Sequence, residues 1–195
     1  MRAKQYEAGV KYRPAGTDAL ISFALFDLDQ SNILRRNDDG TVFSLPGASV
    51  RGVELEGRLP LLDDRLNLNF AYAYWDARIE GGALDGNRPL LTPRHVASIW
   101  ADYSFAADNA LDGLKIGAGA RLEGKRFADD ANTTPIGSAV IFDAMASYPI
   151  GETTEIAVNV TNLFDRDYVA TMNFDNTATF YGDAREIKAT LRHRW

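Results

Sequence analysis

Between Leu66 and Tyr74 every even position is bulky and apolar or aromatic, and every odd position is polar or small: Leu66-Asn67-Leu68-Asn69-Phe70-Ala71-Tyr72-Ala73-Tyr74. The final run, Ile187-Lys188-Ala189-Thr190-Leu191-Arg192-His193-Arg194-Trp195, keeps the same beat and ends on an aromatic. A strand turns successive side chains to opposite faces, so each run predicts a strand with one apolar and one polar face. The same reading predicts strands at 5–13 and 19–35, over a third run ending in Val53, Leu55 and Leu59, and at 95–105 and 114–126. Further strands are predicted around Val140 to Tyr148, around Ile156 to Val160, and at the C-terminus. That makes nine antiparallel runs with no helix-period segment of useful length and no linker. Trp100 alone breaks the alternation of its run.

The breaks between runs alternate in length. Short turns are expected at 14–18, 61–65, 106–112 and 150–153, and long loops near 36–48, 81–93, 128–138 and 172–183. Short turns at one end and long loops at the other are the outer-membrane pattern. Runs of about 9–11 residues suit a tilted membrane strand. Aromatics gather near run ends, at Tyr12, Tyr72, Tyr74, Tyr103, Phe105, Tyr148 and Trp195, as in the girdles of a membrane barrel. A soluble β-sandwich also alternates, and it is the competing architecture.

Composition adds exclusions. The chain has 195 residues, formal net charge -6 and a pI near 4.9, which argues against a nucleic-acid footprint. It has no cysteine, so disulfides and thiolate metal sites are excluded. No apolar run reaches the ~18 residues of a spanning helix, a test that a barrel escapes. Met1 to Glu7 has no apolar leader. With only two histidines, His95 and His193, and no nucleophile constellation, the chain does not read as an enzyme.

Several stretches together resemble the C-terminal part of a TonB-dependent outer-membrane receptor of the ferric-siderophore type. They are Arg51-Gly52-Val53-Glu54-Leu55-Glu56-Gly57, Thr92-Pro93-Arg94-His95 leading to Trp100-Ala101-Asp102-Tyr103, and Asp129-Asp130-Ala131-Asn132-Thr133. Asp143-Ala144-Met145-Ala146-Ser147-Tyr148, Val160-Thr161-Asn162-Leu163-Phe164-Asp165-Arg166-Asp167-Tyr168 and Phe180-Tyr181-Gly182 follow in the family's order. Residues 1–49 fit more loosely. The resemblance implies an all-β, antiparallel transmembrane barrel segment, the last nine strands of a barrel of about 22 with a plugged lumen. The plug, which engages TonB, and the earlier strands are not in the sequence. An odd strand number leaves an unpaired edge, which lipid does not tolerate. The expectation is therefore a fragment, 1–195, of a receptor that imports a ferric siderophore across the outer membrane. A passive pore or structural barrel fragment is the alternative. No resident cofactor is implied, and iron enters only as substrate.

The resemblance also assigns residues. Aromatics of the outer loops contact the chelate in such receptors, which points to Phe174, Phe180 and Tyr181 in loop 172–183; the alternative is that Phe174 and Phe180 simply pack the loop. Some relatives staple this loop with two cysteines, where this chain has Asn173 and Thr179. Glu54, Glu56, Arg58, Arg121, Glu123, Asp143, Glu186, Lys188 and Arg192 would face the lumen and the plug, and are expected to lack partners here. Ile187, Leu191 and Trp195 resemble the signal read by the barrel-assembly machinery through edge-strand pairing. Asp38-Asp39, Asp129-Asp130 and Asp175 are expected to be solvated loop charges rather than a divalent-cation site. Outer-membrane lipid is the expected partner of the apolar face, and no metal site or nucleic acid is expected.

Overall fold

A computed structural model describes residues 2–36, 40–106, 110–173 and 178–195. Its elements are β1 (Arg2–Tyr12), β2 (Leu20–Arg36), β3 (Val42–Leu61), β4 (Leu66–Glu80), β5 (His95–Ser104), β6 (Lys115–Glu123), β7 (Arg126–Phe127), β8 (Pro135–Ile136), β9 (Ala139–Ile150), β10 (Thr154–Thr161), β11 (Val169–Met172), β12 (Thr179–Tyr181) and β13 (Glu186–His193). One nine-stranded sheet runs β1-β2-β3-β4-β5-β6-β9-β10-β13. Each strand pairs antiparallel with its neighbour. The pairs β7–β8 and β11–β12 are small separate hairpins within long connections. The only described helix is one 3-10 turn, Gly82–Leu84.

The register carries the period-two pattern across the sheet. One pairing row reads Val10, Phe23, Leu55, Tyr72, Ala97, Leu122, Val140. The neighbouring row on the opposite face reads Lys11, Ser22, Glu56, Ala71, Ser98, Arg121, Ile141. A one-residue slip of any strand would exchange the two faces, so the sequence pattern fixes the register. Trp100 falls on the charged face. Its indole lies on Gly119 and Gly117, where an added Cβ would come within 2.6 and 2.8 Å of ring carbons. The two glycines make room for the one side chain that breaks the alternation.

The tight β3–β4 turn holds Leu62, Asp63 and Asp64 at φ 55, 56 and 63°. This left-handed conformation is costly for most residues and tolerated best by Asp and Asn, which suits Asp63-Asp64.

The strands are longer than the sequence pattern suggests. β2, β3 and β4 have 17, 20 and 15 residues. Most of the expected loop 36–48 is a continuing ladder that pairs Leu34 with Ser44 and Arg36 with Val42. Antiparallel pairing persists there although the side chains no longer alternate cleanly, because the backbone bonds do not depend on them. Beyond the row of Tyr74, the two faces invert. The apolar face becomes charged at Asp27, Asp29, Arg51, Asp76, Arg78 and Glu80, and the charged face becomes apolar at Ala48, Ala77 and Ile79; on β9 it is already apolar at Ala139 and Ile141, in the rows of Ala73 and Ala71. Ile79 is 1% exposed. Apart from Ala19, the buried apolar residues lie toward this end.

The sheet edges are β1 and β13, both exposed along their lengths. Nine alternating strands make these edges run in the same direction.

Candidate functional site

The register places Glu54, Glu56, Arg58, Arg121, Glu123, Asp143, Glu186, Lys188 and Arg192 on one face of the sheet. The expectation that they lack partners is corrected for several of them. Arg121 Nε lies 3.4 Å from Asp143 Oδ2, Arg192 reaches Glu155 at 3.8 Å and Arg126 reaches Glu123 at 3.0 Å. Trp75 Nε1 donates to Glu54 Oε1 at 3.4 Å. Between them, Lys115 Nζ sits 2.8 Å from Asp102, which also accepts from Asn67 Nδ2 at 3.2 Å. Adjacent strands bring opposite charges opposite or diagonal to one another, a pairing that strand-by-strand reading does not show. Glu56, Arg58, Glu186 and Lys188 make no ion pair among the described residues. Exposed pairs of this kind contribute only about 0–1 kcal/mol each. The face is a hydrated polar surface rather than a core.

The last long connection is built by Asn162, which the sequence reading did not assign a role. It is 2% exposed with φ 50°. Its amide nitrogen donates to the Arg166 and Asp183 carbonyls at 3.0 and 2.9 Å, and its side-chain oxygen accepts the Arg166 N–H at 2.9 Å. Its own N–H donates to Asp143 Oδ1 at 2.9 Å, tying the loop to the sheet. Arg166 donates to the Val140 and Ser138 carbonyls, and Asp165 Oδ1 accepts the Arg185 N–H at 2.8 Å. The Tyr168 ring covers Gly182, where an added Cβ would meet the ring at 1.9 Å. From this clamp rise β11 and β12, pairing Val169 with Tyr181 and Thr171 with Phe180. Phe180 and Tyr181 are 53% and 69% exposed. Phe174 and Asp175 lie outside the described residues, as do Asp38 and Asp39. At the hairpin's tip Asn173 Oδ1 accepts the Ala178 N–H at 2.7 Å, and the Asn173 N–H donates to the Ala178 carbonyl at 3.1 Å.

A second network joins the two preceding long connections. Asp129 accepts the Thr133 and Thr134 N–H groups at 2.9 and 2.8 Å and the Thr133 hydroxyl at 3.1 Å. Burial pushes its carboxyl up, but these hydrogen bonds outweigh that and hold it below the usual carboxylate range. Asp130 accepts the Leu90 N–H at 2.7 Å, and Asn132 exchanges hydrogen bonds with the Arg88 backbone at 2.9 and 2.8 Å. The expectation of merely solvated charge at Asp129-Asp130 is thus corrected: backbone N–H groups occupy both. Buried Arg126 extends the link by donating to the Val169 and Ala170 carbonyls at the foot of β11. The long connections therefore form one hydrogen-bonded layer.

His95 sits against Tyr72 and Tyr74, with its Nδ1 2.9 Å from the Tyr72 hydroxyl. His193 Nδ1 is 2.9 Å from the Thr154 hydroxyl, and its ring lies 5.7 Å from that of Trp195. Among the described residues no cluster of His, Asp or Glu is arranged to hold a metal. Ile187 and Leu191 lie on the apolar face of β13, and Trp195 follows it fully exposed.

Comparison with known proteins agrees with this geometry. Residues 1–163 match the family model described as TonB dependent receptor-like, beta-barrel. The ferrichrome outer membrane transporter/phage receptor of Escherichia coli K12 is 36% identical over 201 residues, covering 100% of this chain and 26% of the relative. The ferrioxamine receptor of Yersinia enterocolitica is 35% identical, covering 98% of this chain and 27% of its own length. The chain thus spans about a quarter of the length of the curated relatives it matches. Among solved structures, the closed form of the ferric-catecholate import receptor Fiu from E. coli K12 superposes with TM-score 0.80 at 28% identity, over 98% of this chain and 27% of that one. The ferric yersiniabactin uptake receptor of Yersinia pestis, at 21% identity, shares the fold with TM-score 0.86 over 98% of this chain and 29% of its own. The chain belongs to the TonB-dependent receptor-like β-barrel family.

Proposed function

We propose that this chain forms nine strands of a larger outer-membrane barrel that imports a ferric siderophore, with energy delivered through TonB acting on the receptor's plug. The observation that carries this reading is the match of nearly the whole chain to about a quarter of the length of relatives named as ferrichrome, ferrioxamine or catecholate siderophore receptors, at 31–36% identity. The sheet supports it. On β5 the apolar face runs from His95 to Tyr103, a rise of about 27 Å along the strand. A tilt near 40° reduces that to about 21 Å, close to the ~25 Å apolar band of outer-membrane barrels. In this reading Phe23, Phe70, Ile99 and Phe142 face lipid, while Glu54, Glu56, Arg58, Arg121 and Lys188 face the lumen and plug. The long connections lie outside the cell, and Phe174, Phe180 and Tyr181 present aromatic surface to the chelate. Ile187, Leu191 and Trp195 serve recognition by the assembly machinery. The chain performs no chemistry on its substrate and holds no resident cofactor; iron is cargo.

The edges bear on the pore alternative. Because β1 and β13 run in the same direction, copies of this sheet inserted in one orientation would meet edge to edge in parallel. Antiparallel closure needs an odd number of further strands, which a larger barrel supplies.

The test is uptake of a radioactive iron hydroxamate chelate by cells lacking their own receptor and expressing the intact protein. Uptake that is saturable and abolished by a protonophore or by loss of TonB is expected. No uptake of hydroxamate or catecholate chelates would refute the reading. Steady ion conductance from the purified protein in planar bilayers would instead favour a passive pore.

A further inference from the structure

Above the tyrosines of the apolar face several basic side chains gather. Arg78 and Arg94 both approach a single carboxylate, Asp76, at 3.2 and 3.6 Å. Arg88 stands beside the same group and makes no ion pair among the described residues; its NH1 donates instead to the Lys125 carbonyl at 3.1 Å. Arg88 and the Lys125 ammonium each lie 5.7 Å from the centre of the Phe127 ring. Partial burial, together with neighbouring Arg94 and Arg78, holds the Arg88 guanidinium below its usual value. Of the other acids on this face, Asp27 is paired with Arg51, while Asp29 shares the row of Arg78. Glu123 is paired with Arg126 at 3.0 Å, and Asp85 accepts the Gly81 N–H at 2.6 Å. Glu80 lies one strand repeat beyond Arg78. Arg78 and Arg94 thus share one carboxylate, and Arg88 and Lys125 both approach the Phe127 ring, the four cations coming from β4, the β4–β5 connection and the segment before β7.

The position of this cluster decides its partner. Asp76 and Arg78 share the strand phase of Phe70, Tyr72 and Tyr74, so the face reads apolar, then aromatic with His95, then charged along one direction. That is the order of acyl chain, interface and headgroup in a bilayer. Guanidiniums bind phosphate oxygens with paired N–H donors.

We propose that Arg78, Arg88, Arg94 and Lys125 form a binding site for the phosphate of a membrane-lipid headgroup. This rests on the lipid-facing reading of the apolar face. Phe70→Arg tests that reading independently, so failure of one can be told from failure of the other. The test titrates the intact protein, in a neutral detergent, with short-chain phosphatidic acid and separately with inorganic phosphate. Replacing both Arg88→Gln and Lys125→Gln should weaken binding of the lipid about 30-fold, at about 1 kcal/mol per interfacial cation. Arg185→Gln, in the Arg185–Asp165 pair of the last long connection, should leave it unchanged. Asp76→Asn removes the carboxylate that Arg78 and Arg94 share and should tighten binding about fivefold, a gain that misfolding does not produce. Equal affinity of the wild-type protein and the double variant, or no gain in Asp76→Asn, would overturn the proposal. Inorganic phosphate binding as tightly as the lipid would overturn the lipid assignment and leave a free-anion site.

Discussion

Replacing Asn162 with alanine should loosen the last long connection while leaving the sheet intact. The side chain is 2% exposed and makes three hydrogen bonds, two donated to the Arg166 and Asp183 carbonyls and one accepted from the Arg166 N–H. At about 1 kcal/mol each, their loss comes to about 3 kcal/mol of local stability. Alanine also takes the φ of 50° less readily than asparagine, which adds to the cost. A local opening made easier by about 3 kcal/mol exchanges amide hydrogens more than a hundredfold faster. Hydrogen exchange followed by mass spectrometry on the intact protein should show this over 162–185, while the β9–β10 ladder keeps its protection. Asn162→Asp keeps the acceptor but loses both donors and sets a carboxylate against two carbonyls, so it should behave nearly as badly. Asn162→Gly relieves the backbone alone and should not restore protection. Protection over 162–185 within about twofold of wild type in Asn162→Ala would refute the clamp.

Three further predictions concern other parts of the molecule. Phe70→Arg should impair membrane assembly of the intact protein, because Arg on a lipid face near the midplane costs about 2–4 kcal/mol; Asn69→Arg, one residue away on the charged face, should be tolerated, and equal effects in a folding titration would refute the face assignment. Asp129 is held below the usual carboxylate range in the folded state, so its contribution is complete above that range and is lost as pH falls through the lowered value. Protection factors at Thr133 and Thr134 should drop on that descent in wild type, and Asp129→Asn should abolish this pH dependence. Gly182→Ala should displace Tyr168, whose ring occupies the Cβ position, and expose 162–185 to protease; adding Tyr168→Ala to relieve the clash should partly restore resistance at that site.

The two faces of the sheet were legible because period two is local: Leu66 to Tyr74 states its own register, and its neighbours repeat it. Trp100 looked like an error and was not, since its partners Gly117 and Gly119 lie one strand away. The upper ladder that pairs Leu34 with Ser44 and Arg36 with Val42 was hidden because outside the apolar band nothing forces polar and apolar residues to alternate. The ion pairs of Arg121 and Arg192 depend on the partner strand's register, which single runs do not reveal. Asn162 and Arg126 were missed for a related reason. Their partners are backbone carbonyls up to 44 positions away, and a carbonyl leaves no mark in the sequence. The family motif around Asn162 was visible as a likeness, but its role as a clamp required the coordinates.

The most direct test of the central claim introduces cysteines into these 195 residues, which have none of their own, with any cysteine elsewhere in the protein replaced. Single cysteines through 66–74 and 95–103 of the intact protein, spin-labelled in bilayers, report contact with oxygen in lipid or with a water-soluble nickel chelate. The expected result is strict alternation, with oxygen contact at the even positions of 66–74 and the odd positions of 95–103. Labels that reach water equally on both faces, or a pattern without period two, would contradict the placement of this sheet in the wall of an outer-membrane barrel.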